Sequence, residues 1–405
     1  MDDDLVTIMM WNDFNDVRTF FEDNAVMMQN IEIEQKIDAL LSHNIKQLKY
    51  LVEDVVFFYY TMQLCKFTSY QLIGSSNSFF NITTFIRANL ECTFVILGKL
   101  QNLQNKISDD YSIVEKINKI SNDFFSKKEF RNRLEHTLDP YYAGDYSKIK
   151  EEFSLKEQLS FLNSIVDIIE DLPYKNIILN NEVLKLDYEP LNEEKIKEIV
   201  TSMQSDVEKN FLYAIEMSYR VQDFDRYGEA YKSKEEEGKS IIDLCFKSLE
   251  INKCIIYIFN SVGIKESLKG TVKSYFSRIA ITKCYQMCDK LATYIKPNEK
   301  TYFKKVCEEL GKEDGLNNIE IKMLNLYKSA DYDVLSKIRN FIEHKKGFVD
   351  YEGNSDIICS AIINVHKELN SIVLLIVSKY FNINGMKISE RARKELARKT
   401  MIHKI

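Results

Sequence analysis

Ile242-Cys245-Phe246-Leu249-Ile256, inside IIDLCFKSLEINKCIIYIF at positions 241–259, sets apolar side chains three, one, three and seven residues apart. That is the spacing of one buried stripe on an α-helix. Ile37-Leu40-Leu41-Ile45-Leu48 repeats the habit near the start, and it continues almost throughout the 405 residues. The chain has 4 prolines and 12 glycines, too few for sandwiches, barrels or propellers, which need a turn residue every ten positions or so. Hydrophobic residues make up 45% and charged residues 29%, so a sizeable core can form and wholesale disorder is excluded. The reading is all-α, with length for two or three domains.

Pro173 to Pro190, PYKNIILNNEVLKLDYEP, breaks the helical habit. It reads as a short β-hairpin turning at Asn180-Asn181 and dividing an N-terminal domain (1–172) from a C-terminal one (191–405). Leu191-Asn192-Glu193-Glu194 then opens a helix with an N-cap and an acidic first turn. Lys232–Ser240 (KSKEEEGKS) reads as a charged loop. Its Gly-Lys-Ser is no phosphate-cradling loop, because the further glycine such a loop needs is Ser233.

The two halves resemble each other. Phe85-Ile86-Arg87 opens a helix reaching Lys99-Leu100, and Phe276-Ser277-Arg278 opens one reaching Lys290-Leu291, 191 positions on. Arg131-Asn132-Arg133-Leu134-Glu135-His136 recurs as Arg339-Asn340-Phe341-Ile342-Glu343-His344, offset by 208, and Leu162-Asn163-Ser164-Ile165-Val166 as Leu369-Asn370-Ser371-Ile372-Val373, offset by 207. Three blocks in one order imply a duplicated helical domain with an insertion of about 17 residues around Pro297–Leu326.

On a helix, with the hexad's arginine at about 0°, glutamate falls near 40°, asparagine near 100° and histidine near 140°. The four polar groups share an arc, while Leu134 or Ile342 near 300° lies on the other side. Arginine and glutamate stand i, i+4, so Glu135 and Glu343 can brace the guanidinium groups; asparagine and histidine share that spacing. One such hexad equally suits a solvated face with a salt bridge. Two of the chain's 5 histidines ending the same hexad favour a phosphate-handling site.

At these residues the chain resembles the HEPN superfamily, small all-helical domains marked by Arg-x(4–6)-His with a polar residue after the arginine. Asn132 and Asn340 fill that polar position. The second half matches better, over about 271–381, through SRIAITKCYQMCDKLATYI and RNFIEHKKG; the first matches over about 85–170. The resemblance implies two helical-bundle HEPN-like domains and a metal-independent endoribonuclease whose two motifs form a composite site, within one chain or across a homodimer. Arg131, Asn132, His136, Arg339, Asn340 and His344 are then the catalytic residues, with no cofactor. Histidine titrates near neutrality, so His136 and His344 suit general base and acid at an RNA 2′-hydroxyl, and the arginines suit transition-state charge. Products would carry a 2′,3′-cyclic phosphate and a 5′-hydroxyl, and DNA, lacking the attacking hydroxyl, would be inert. By analogy alone, such proteins act as toxins or abortive-infection effectors in antiviral defence, held in check by a regulatory protein or antitoxin. A non-catalytic RNA- or nucleotide-binding module and a helical partner-interaction protein remain the alternatives.

The net charge of −6 excludes a bulk nucleic-acid coater. Residues 385–405 nevertheless hold seven Lys/Arg against Glu390 and Glu395, a local +5. Lys345, Lys346, Arg391, Arg393, Lys394, Arg398 and Lys399 are the expected RNA-binding cations. Tyr141, Tyr142 and Tyr146 fit local packing better than base stacking. Eight cysteines form no CxxC pair, and Cys284 with Cys288, one turn apart, reads as two buried small side chains rather than a metal site. The acidic start MDDDLVTIMMWNDF is unlike a secretory leader, and the apolar run Ile372–Val377 is short for a bilayer. A reduced, cytoplasmic protein without membrane attachment is expected.

Overall fold

A computed structural model describes residues 35–36, 39, 48–71, 78–104, 107, 110–136, 152–172, 184–226, 232–259, 266–297, 302–344, 349 and 353–394. These form helices and connecting segments with no strand among them: the fold is all-α. In the first half run α1 (Lys49–Gln71), α2 (Ser78–Gln104), α3 (Tyr111–Asp123), α4 (Lys127–His136) and α5 (Leu155–Asp171). In the second run α6 (Glu193–Arg226), α7 (Lys232–Phe259), α8 (Glu266–Ile295), α9 (Phe303–Leu310), α10 (Asn318–Tyr327), α11 (Ala330–His344) and α12 (Ser355–Ile383). Among the described residues between its long helix and its motif helix, the first half has α3, whereas the second has α9 and α10.

Local chemistry sets several boundaries. Asn192 caps α6 as read, its Oδ1 accepting from the Lys195 amide at 2.8 Å. Ser154 and Glu157 form a reciprocal capping box at the start of α5. Two expectations are corrected. Lys232–Ser240 is not a loop but the first turns of α7, rich in helix-forming Lys and Glu and carrying an i, i+4 pair between Glu235 and Lys239. Gly238 within it lies where a Cβ would stand 2.9 Å from both Met217 and Val221 of α6, so glycine permits a close helix–helix approach. The second arm of the expected hairpin, Leu184–Pro190, is not a strand. Its alternating Leu184, Leu186 and Tyr188 pack singly on the helical core, so the period-2 pattern reflects one-sided burial rather than pairing. Asn180-Asn181 lies outside the described residues.

One apolar core extends from Leu48 to Phe381 and draws on both halves. Among the described residues α12 is long and apolar enough to cross a membrane by length and composition, and 67% of its apolar window is buried inside the protein. Its helical surroundings include a buried polar knot in which the Asn370 Oδ1 accepts from Ser248 at 2.9 Å and from Asn210.

The halves are joined by reciprocal ion pairs. Asp54 of α1 holds Lys99 of its own half at 2.6 Å and Arg278 of the other half at 2.7 Å. Asp243 of α7 holds Lys290 of its own half at 2.5 Å and stands 3.8 Å from Arg87 of the first half. Asp243 follows Asp54 by 189 positions, while Lys290 and Arg278 follow Lys99 and Arg87 by 191. Around the second set lie Lys247, Lys283 and Glu250, all buried. Burial lowers the Lys290 pKa against the opposing pull of Asp243.

Removing one partner of a buried pair strands the other charge, at about 3–5 kcal/mol. Asp54→Asn and Asp243→Asn should therefore each cost about 3–5 kcal/mol in urea unfolding; a loss below about 1 kcal/mol, the scale of an exposed pair, would contradict the arrangement. His366 supplies a second test. It is fully buried on α12, neither ring nitrogen has a hydrogen-bond partner among the described residues, and desolvation lowers its pKa from 6.5 to about 3. The unfolded chain takes up a proton below pH 6.5 that the folded chain refuses until about pH 3, so this group's stabilisation is lost as pH falls through that window. At pH 5 the deficit is about 2 kcal/mol, and His366→Leu should remove it, flattening the stability profile between pH 7 and 5. An unchanged profile would reject the assignment.

Candidate active-site cleft

Each hexad sits at the C-terminal end of a motif helix. α4, carrying Arg131 to His136, packs against α2 of its own half and α8 of the other; α11, carrying Arg339 to His344, packs against α8 and α2. Both motif helices thus meet the same two long helices.

The arginines are held in related ways. The Arg131 guanidinium lies 5.4 Å from the centre of the Phe94 ring on α2, and that of Arg339 lies 4.2 Å from the Tyr285 ring on α8. Phe94 and Tyr285 stand 191 positions apart, matching the offset of the two long helices. Arg131 also donates through Nε to Glu91 Oε2 at 3.0 Å. The other Glu91 oxygen accepts from Gln286 Nε2 of α8 at 3.2 Å, and Gln286 Oε1 accepts from buried Lys247 at 3.3 Å. A continuous polar link therefore runs from the first motif, through α2, into the second half.

Glu91 also lines a narrow cleft of about 20 Å³ together with Arg278, Lys283, Gln286, Arg339 and Ile342. By volume it admits one or two water molecules. Ile342, expected on the other side of its helix from the polar arc, lines this cleft beside Arg339; 300° is only about 60° from the arginine's direction, so the two side chains are neighbours. At the variable position of the hexads, Arg133 is exposed and Phe341 buried.

Asn132 and Asn340 are exposed. Asn132 Oδ1 accepts from Arg131 at 3.4 Å and Asn340 donates to Ser336 Oγ at 3.4 Å, so neither is buried as a structural amide. His136 and His344 are the last residues of α4 and α11; their side chains, and those of Glu135 and Glu343, lie outside the described set. For Arg131 the brace seen is Glu91, which the sequence reading did not single out. Its signal was the one carboxylate of α2, a turn after Arg87.

The expected RNA-binding cations divide. Arg391 lies 3.8 Å from the centre of the Tyr219 ring of α6, beside Ser389, whose amide and hydroxyl donate to buried Glu216 at 2.9 and 2.5 Å. That contact fastens the segment to the fold through Ala392, which is fully buried. Arg393 and Lys394 are exposed. Lys345, Lys346, Arg398 and Lys399, with Tyr141, Tyr142 and Tyr146, lie outside the described residues. The seven described cysteines are all buried with free thiols; burial raises the Cys284 and Cys288 pKa values, so both behave as small apolar side chains. No known family profile, curated protein or solved structure matches this chain.

Proposed function

We propose that the protein is a metal-independent endoribonuclease of HEPN type, with one composite site built from both hexads, and that its halves descend from a duplicated domain. The observation that carries this reading is the convergence of α4 and α11 on the same pair of long helices, with Arg131 tied through Glu91 and Gln286 to the wall that Arg339 also lines. The matched Asp54 and Asp243 ion pairs, and the matched rings under the two arginines, support the duplication.

In this mechanism one imidazole, of His136 or His344, takes the proton of an RNA 2′-hydroxyl. The 2′-oxygen bonds to phosphorus, the P–O5′ bond breaks, and the other imidazole, protonated, gives its proton to the departing 5′-oxygen. Arg131 and Arg339 offset the charge that builds on the phosphoryl oxygens. Asn132 and Asn340, exposed beside them, orient an imidazole or a phosphate oxygen. The cleft is too small for a nucleotide, so the strand lies across its mouth, and Arg393 and Lys394 can add phosphate contacts away from it. A cytoplasmic defence or toxin role, restrained by a partner protein, rests on the resemblance alone.

A second reading, a module that holds RNA or nucleotide without cutting it, draws on the Arg131–Glu91 pair, which already occupies one motif arginine. The two separate in one assay. Mixed tRNA and unstructured RNA are incubated in EDTA with wild type, His136→Ala and His344→Ala. Cleavage is expected to resist the chelator, to leave DNA intact, and to fall by about 10²–10⁴ in each variant. Undiminished cutting in both variants would refute the assignment. Salt-sensitive binding that survives both histidine changes but not Arg339→Ala, without cleavage, would establish the binding module.

A further inference from the structure

We infer that the turn entering α4 is a base-stacking platform for single-stranded nucleic acid, made by the Phe125 ring with Lys128 one turn on. It leads a strand onto the first hexad. The inference deepens the ribonuclease reading and rests on it for the cutting of that strand; neither Phe125 nor Lys128 belongs to a hexad.

Exposure and rigidity are the first argument. Of the five large apolar side chains exposed among the described residues, Phe125, at 72%, is the one that leads into a motif helix. Its backbone is pinned on both sides. The Phe125 amide donates to the Asn122 carbonyl at 3.1 Å, and the Phe125 carbonyl accepts from the Lys128 amide at 3.1 Å. Phe124 beside it is buried, its ring 5.0 Å from that of Phe161 and 6.5 Å from that of Phe153. One ring anchored in the core thus holds the other out in water, where a fixed π-face is open to any base.

Register is the second argument. Counted as helical positions, Phe125, Lys128 and Asn132 fall within about 60° of one another. Phe125 and Asn132 are about 10 Å apart along the axis, so the stripe runs from the platform onto the hexad. Lys128 and Asn132 are exposed, and Lys128 has no ion pair among the described residues.

Charge is the third, and the halves differ in it. α4 (KKEFRNRLEH) carries four Lys/Arg against two Glu, +2 with its histidine neutral, whereas α11 (ADYDVLSKIRNFIEH) carries two against three Asp/Glu, −1. The positions 208 beyond Phe125 and Lys128 are Asp333 and Ser336. Asp333 is exposed and paired with Lys337 at 2.6 Å. In a chain of net charge −6, a polyanion with unstacked bases therefore fits α4 and not the matching face of α11. Stacking and phosphate contact read no sequence, and a duplex, whose bases are covered, fits poorly.

The test is fluorescence anisotropy of a labelled, mixed-sequence 2′-O-methyl oligoribonucleotide, which has no attacking hydroxyl. It is titrated with the full chain as wild type, Phe125→Ala, Phe125→Leu, Phe125→Trp and Lys128→Ala. Both side chains are exposed, so the variants are expected to fold. Affinity should fall by about 5- to 150-fold in Phe125→Ala and nearly as much in Phe125→Leu. Phe125→Trp should keep it, because a ring face rather than apolar bulk is in use. Lys128→Ala should weaken binding and reduce the slope of log affinity against log salt by about 0.7. Unchanged affinity in Phe125→Ala, full affinity in Phe125→Leu, or no binding by wild type would overturn the platform. Sedimentation tests the rival use of an exposed ring. Self-association lost in Phe125→Ala while oligonucleotide affinity holds would assign Phe125 to a protein contact and overturn the platform too. Phe125-dependent binding without cleavage of unmodified RNA keeps the platform and defeats the ribonuclease reading. RNA cleavage combined with binding that Phe125→Ala leaves unaltered does the reverse.

Discussion

Asp54 and Asp243 each sit between a lysine of their own half and an arginine of the other, and the rest of the architecture depends on that exchange. A carboxylate buried among Val55, Phe58 and their neighbours is tolerable only if cations reach it. For each aspartate one of those cations comes from across the chain. Separating the halves would leave Arg87 and Arg278 without these cross-half carboxylates and expose part of an apolar core that both halves fill. Coulombic and hydrophobic requirements therefore favour the same assembly.

That assembly accounts for the cleft. With α1, α2, α7 and α8 locked together, the motif helices α4 and α11 each touch both α2 and α8, and α11 packs in addition against α12. Arg131 and Arg339 then arrive over Phe94 and Tyr285, and Glu91 bridges from the first motif to Gln286 of the opposite long helix. The related contacts are not identical. Where the first half has Phe58, Thr61 and Cys92, the second has Lys247, Glu250 and Lys283 at the corresponding offsets.

Much of the fold was legible because it depends on local rules. Apolar spacing and the scarcity of proline and glycine specify helices, and Asn192 announces a cap through its side-chain chemistry. Two local readings failed for reasons of context. In KSKEEEGKS, glycine and charge suggested a loop, but the glycine serves the contact with Met217 and Val221. In LKLDYEP, alternation suggested pairing, but a segment with one side pressed on a core alternates equally well. The hexads fall on α4 and α11, yet Glu91 went unnoticed because its contacts are with Arg131 and Gln286, which are 40 and 195 positions away. Asp54 and Asp243 did leave a trace, each a carboxylate in an apolar run, LVEDVVFF and SIIDLCF; their partners depend on which helices cross, which periodicity does not encode.

The central claim is that the two halves form one interlocked body in which the motif helices α4 and α11 pack on the same pair of long helices. The most direct measurement is to place a protease site at Asn180-Asn181, cut the folded chain there, and follow the nicked protein by sedimentation and urea unfolding at moderate ionic strength. The account predicts one particle with the mass of the uncut chain and a single cooperative transition that Asp54→Asn shifts for both fragments together. Two fragments that sediment apart and unfold independently would contradict it.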